Sequence, residues 1–288
     1  MLNSEAITNR QRPEDHPRRN ETSGLLKRST FCIAVASLGL LAAASPQTAS
    51  PATVNRILDY ENSGSKKTAI DEVELAVDGH LSLQGHPQER LYYVLGGRGI
   101  MSIYEEAPAG DIYELGQDIA VYLTPGVEHE IFNIGNTPLR YVVMLVTGGQ
   151  VPDGDLSWSA VTQRGVTVEN PQLGSGVAVT DVFDEGLNPS ETEGQHLRIH
   201  DIWLRRPQMF TNAEVVTIAP GRSTRPHTHH DTDETYYILY GEGSFLWDDE
   251  EIACEAGSNI SYPIGVRRAV TNTGQFPMSY LVISAAMN

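Results

Sequence analysis

From about residue 70 to its C-terminus, this chain sets its apolar positions in short runs of Val, Ile, Tyr and Leu, broken by Gly, Pro, Asn and Asp. No long stretch repeats at the 3.6-residue helical period. Runs of about five to eight residues with turn-forming punctuation predict strands, so the chain is expected to be all-β. The runs also recur. "ERLYYVLGGRG" (Glu89–Gly99) aligns without a gap on "DETYYILYGEG" (Asp233–Gly243). "PGVEHEIFNIGNTPLRYVVMLV" (Pro125–Val146) aligns on the stretch from Ile264, with Gly126 on Gly265 and Asn133 on Asn272. A self-match at an offset of about 140 residues marks an internal duplication. The expected organisation is a first half at 53–147, a Gly-, Asp-, Ser- and Pro-rich linker with connecting strands at 148–194, and a second half at 195–288.

The first 52 residues follow another pattern. A polar lead ends in Lys27 and Arg28, then comes the apolar run "FCIAVASLGLLAAAS" and a stretch of small residues. A basic flank, an apolar core and small residues after it describe a secretory signal, with Ala42–Ala44 as one cleavage site. The run is short for a membrane span. The mature protein is therefore expected to be exported and not membrane-embedded. Residues 1–52 carry six Lys/Arg against four Asp/Glu, so removing them takes the net charge from −17 to −19. It also removes Cys32 and leaves Cys254 alone, with no intrachain disulfide possible. So acidic a chain is a poor partner for nucleic acid or an anionic membrane surface, which need basic patches.

The candidate chemistry lies in the second half. Gly221, "RSTRP", His227, Thr228, His229, "HDTD", Glu234, "TYYILY", Gly241 is one dense motif. A second reads Gly257, "SNISY", Pro263, Ile264, Gly265, "VR", Arg268, "AVT", Asn272. Together they resemble the two motifs of the cupin superfamily, complete except that Arg268 stands where the second motif has its histidine. The resemblance covers about 70–147 and 195–288. It implies a bicupin: two tandem jelly-roll β-barrels after the signal-like segment.

The resemblance makes His227, His229 and Glu234 the metal ligands. Residues i and i+2 of a strand face the same side, so the two imidazoles point together and Glu234 opens the next strand towards them. Such a triad suits one divalent ion, Fe(II) first, with Mn or Zn as alternatives. By alternation His230 points away, and Asp231 and Asp233 are expected at the surface. Arginine is no metal ligand. Arg268 then either fixes a substrate carboxylate beside a three-ligand metal, or pairs with Glu234 in a metal-free site. Tyr236 is expected to line the pocket, as is Tyr92 in the first half.

There the aligned positions are Gln84, His86, Arg90 and His129. With no carboxylate and an arginine in the ring, this half is expected to be a degenerate copy, either structural or holding an anion through Arg90 and His129. A shift of register would bring Glu89 inward instead, but the "YYVLGG"/"YYILYG" match opposes it. The resemblance implies a metal-dependent enzyme acting on a small organic acid, a carboxylate, by dioxygenase-type oxidoreductase chemistry, decarboxylation or isomerisation being alternatives. The rival is a non-catalytic binding or storage protein. The chain is expected to be a monomer or small homo-oligomer.

Overall fold

The structure, a computed structural model, describes residues 52–59, 65, 67–104, 111–147, 162–163, 166–167, 176–185, 196–204 and 207–286. The signal-like segment, its cleavage region, Cys32 and most of 148–194 lie outside the described residues.

The fold is built almost wholly of strands, as the short apolar runs predict. The first half contains β1 (Ala52–Leu58), β2 (Thr68–Leu75), β3 (His80–Gln84), β4 (Glu89–Gly96), β5 (Gly99–Ile103), β6 (Asp111–Leu115), β7 (Ile119–Leu123), β8 (His129–Asn133) and β9 (Leu139–Val146). A short hairpin, β10 (Thr162–Gln163) and β11 (Val166–Thr167), precedes β12 (Val177–Asp181) and a four-residue helical turn. The second half contains β13 (Leu197–Asp201), β14 (Phe210–Ile218), β15 (Thr232–Tyr240), β16 (Glu242–Trp247), β17 (Glu250–Glu255), β18 (Asn259–Tyr262), β19 (Arg268–Asn272) and β20 (Met278–Ala286). Each half is a double-sheet jelly roll. The first pairs the sheet β1-β2-β9-β4-β7-β12 with β3-β8-β5-β6, and the second pairs β13-β14-β20-β15-β18 with β17-β16-β19. Strand β12, inside the stretch read as linker, is the edge strand beside β7.

The duplication holds at the level of hydrogen-bond register. Arg90 pairs with Leu123 and Leu145, and Glu234 pairs with Tyr262 and Ser284, the matching residues of the other half. Gln84 lies opposite His129 as His227 lies opposite Arg268. The matching asparagines have one job. Asn133 donates to the carbonyls of Leu75 and Thr137, Asn272 donates to those of Ile218 and Phe276, and each accepts the N–H two residues on. Each thereby ties the turn after its strand to a neighbouring strand. Two glycines close the motif strand for different reasons. Gly241 has φ +85°, which side chains resist. Gly243 has no room, since a Cβ there would lie 2.1 Å from the Thr271 carbonyl oxygen.

The doubled tyrosines explain how the halves join. A strand buried on both faces reads as continuous apolar residues. Tyr92 and Tyr236 point into their own barrels. Their neighbours Tyr93 and Tyr237 point the other way, into a core shared by the two large sheets with Met144, Phe210, Leu281 and Ile283. Polar groups in this layer are matched across it. The Tyr237 hydroxyl donates to Glu72 at 2.6 Å, and Thr235 donates to Thr68 at 2.9 Å. Glu89 is fully buried in the same layer. It accepts from the Tyr122 hydroxyl and from the backbone N–H groups of Gln208, Met209 and Phe210. Its carboxylate thus faces the second barrel, away from the first barrel's interior where Arg90 sits.

Candidate metal centre

In the second barrel the loop before β15 carries the histidines, and the start of β15 carries Glu234. One ligand atom from each of His227, His229 and Glu234 lies within 4.8 Å of the others. The rings of His227 and His229 meet edge to face, with centroids 5.0 Å apart. The Nδ1 of His227 lies 2.8 Å from the Arg225 carbonyl oxygen, which can only accept. Nδ1 therefore carries a proton, and Nε2 is the nitrogen left to face a cation. Burial pushes the proton affinity of His229 down, which favours its neutral, ligating form. Two imidazoles and a carboxylate form a donor set that fits a divalent ion.

Glu234 is held from both sides. Its Oε2 accepts from the Tyr236 hydroxyl at 2.6 Å and from Arg268 Nη1 at 3.2 Å. Its Oε1 accepts from the Ser284 hydroxyl at 3.1 Å and lies 3.3 Å from His229 Nε2. Oε2 is thus the anchored oxygen and Oε1 the one facing the histidines. Burial, together with a carboxylate so close, drives the phenol of Tyr236 far above its ordinary pKa, so it stays a donor.

Arg268 is placed differently from a substrate-binding arginine. It is fully buried. Besides Glu234 it donates to the carbonyls of Val266 and Pro263, and its guanidinium lies over the Tyr262 ring at 5.2 Å. It does not line the cavity in front of the histidines. The expectation that Arg268 grips a substrate carboxylate is therefore corrected: its donors are engaged behind Glu234. A cation beside a metal needs an anion between them, and that anion is Glu234 itself. Pairing with Glu234 and metal binding through Oε1 are thus compatible, where the sequence had set them as alternatives.

The cavity has a volume of about 760 Å³. Tyr236 lines it with Tyr280, Leu197 and Val282. Arg225 is the one Lys or Arg on this wall among the described residues. The wall also carries Glu214, buried on β14, which the sequence reading missed. Val216 and Ile218 of that strand point inward, so period-two alternation through "EVVTI" was the signal available. His230 is exposed, outside the triad. Asp231 is exposed, but Asp233 is not: it is buried and accepts the Ile264 N–H at 2.8 Å. It occupies the register position of Glu89, which faces the buried layer between the sheets.

The first barrel brings Gln84, His86, Arg90 and His129 to the matching positions. His86 and His129 lie 5.8 Å apart between ring centroids. His129 Nδ1 lies 3.2 Å from the Val127 carbonyl oxygen and so donates to it. Its Nε2 then accepts from the Tyr92 hydroxyl at 2.8 Å. That bond uses the lone pair a metal would need. Burial, with Arg90 nearby, pushes both His86 and His129 down to about 4, so both are neutral at pH 7.

Comparison with known proteins agrees with this architecture. A family model described as a cupin domain matches the chain twice, at residues 72–145 and 214–284. Among solved structures, AerE from Microcystis aeruginosa superposes with a TM-score of 0.56 at 18% identity, over 77% of this chain and 90% of that one. A variant of Bacillus subtilis oxalate decarboxylase superposes with a TM-score of 0.63 at 16% identity, over 80% and 72%; that enzyme is described as having Mn(II) centres. At these identities the likeness shows the fold alone. An oxalate-binding protein of Thermotoga maritima is 28% identical over 93 residues, 32% of this chain and 74% of that protein. With two matched domains that together span half of its length, the chain belongs to the cupin family as a bicupin.

Proposed function

We propose that the second barrel binds one divalent metal ion on His227, His229 and Glu234 and acts there on a small organic acid, with Fe(II) as the ion and dioxygen as co-substrate. The observation that carries the metal is the convergence of three donor atoms within 4.8 Å, each prepared by its neighbours. When bound, the ion would supply Lewis acidity and open coordination positions. The chain's own residues do the rest. Tyr236, Ser284 and Arg268 fix the Glu234 carboxylate so that one oxygen faces the histidines. Arg225 gives the wall a positive charge for an incoming carboxylate. Leu197, Val216 and Val282 keep the cavity floor apolar. The oxalate-related neighbours support a small carboxylate as the ligand class.

The second reading is a binding protein for the same ligand class. It is favoured by the arginine in the fourth ligand position of one barrel and at the carboxylate position of the other. Metal-supplemented expression followed by elemental analysis tests the centre, and about one ion per chain is expected. Dioxygen uptake with small mono- and dicarboxylic acids then tests the chemistry. Metal and ligand bound with no turnover, or ligand bound by a metal-free protein, would replace the enzyme with the binding protein; a protein that binds neither metal nor such an acid would overturn both.

We also infer export. Expressed with its own N-terminus in a bacterium, the protein is expected outside the cytoplasm. No helix among the described residues is long and apolar enough to cross a membrane.

A further inference from the structure

We propose that the first barrel is a second, metal-independent site, in which the Arg90 guanidinium binds one carboxylate group of a small organic acid with His86 and Gln84 beside it. The strand register puts Arg90 where the other barrel has its glutamate, so a cation replaces an anion at the centre of the site. Among the described residues no carboxylate pairs with Arg90. Asp71, a buried acid of β2, is engaged by Arg56. The Tyr92 oxygen accepts from the guanidinium while its O–H donates to His129, which leaves the Nε edge of Arg90 unmatched. Arg90 Nε and His86 Nε2 are both buried without a partner. A guanidinium N–H shut away from water without an acceptor forfeits its full solvation. An acceptor supplied by a ligand would restore it, and Arg90 and His86 as residues are each only half-buried.

The chemistry selects the ligand. Of the four positions, Arg90 cannot hold a metal and the His129 lone pair is engaged. The histidines are neutral, so Arg90 supplies the positive charge of the site, which one carboxylate group can neutralise. A planar guanidinium also matches a planar carboxylate through two parallel bonds. The inference does not depend on the metal centre of the second barrel.

The test uses the full chain stripped of metal by a chelator and titrated calorimetrically with acetate and with oxalate. Binding is expected to persist without metal, and to persist in His227→Ala, which removes a metal ligand. Arg90→Gln is expected to weaken it about tenfold or more. Arg90→Lys, which keeps the charge and loses the fork, is expected to recover little of the loss and decides the matter should Arg90→Gln fail to fold. Loss of all carboxylate binding on chelation, or wild-type affinity in the Arg90 variants, would overturn the site. Equal competition by inorganic phosphate would overturn the carboxylate assignment.

Discussion

The two barrels share their ladders residue by residue and differ in the charge placed at the third of the four site positions. There the first barrel carries Arg90 and the second carries Glu234, with Arg268 buried behind it. Tyr92 and Tyr236 stand at the same register position, yet the first phenol donates to the fourth residue of its site, His129, and the second to the third, Glu234. Each phenol turns towards whichever neighbour can accept. The backbone therefore sets where four side chains meet, and two arginines, in different positions of the four, decide whether that meeting point attracts a cation or an anion.

Replacing Glu234 is expected to have the largest effect. Glu234→Ala removes a metal ligand and leaves Arg268 buried beside an absent partner, at a cost of about 3–5 kcal/mol. Metal analysis and thermal unfolding read the two effects, whereas Arg90→Ala in the first barrel leaves metal content unchanged. If both variants lose metal equally, the contrast between the barrels is gone.

A pH-dependent effect comes next. Buried His129 titrates at about 4 in the fold and at about 6.5 unfolded. Its folded value is depressed, so below about pH 6.5 the unfolded chain takes up a proton that the fold refuses. The stability contributed by neutral His129 is thus present above pH 6.5 and is lost as pH falls to about 4, by up to about 3 kcal/mol. Melting temperatures across that window are expected to fall less steeply in His129→Gln than in the parent chain. Identical slopes would mean that His129 titrates as if exposed.

Arg268→His gives the second barrel the fourth ligand that the first retains as His129. Metal affinity is expected to rise about tenfold, read by competition with a chelator, and unchanged affinity would show that position 268 cannot reach the ion. The smallest effect is expected of His230→Ala, with metal content close to the parent's. A loss as large as that of His229→Ala would put the wrong histidine in the triad.

Local and periodic features were legible in the sequence. The strands and the duplication follow from period-two alternation and the recurring runs, and the grouping of His227, His229 and Glu234 from the motif, although the two histidines lie in the loop before β15 and not on one strand face as expected. Features that depend on which strand lies beside which were not. Glu214 enters the second interior because β14 pairs with β20. Asp233 resembles its exposed neighbour Asp231 in sequence, but it is buried and takes the Ile264 N–H. Arg268 stands in a ligand position, and only the structure shows its guanidinium held by Glu234 and two carbonyls.

Glu89 joins the halves more tightly than apolar packing alone would. A carboxylate of the first barrel caps three N–H groups of the second, and neither barrel can open without stranding charged or polar groups of the other. The chain should therefore melt in a single cooperative transition. A ligand that binds only the folded form stabilises that whole unit by mass action. A metal ion in the second barrel would then protect amide protons of the first from exchange, with no contact to it and no change in its shape.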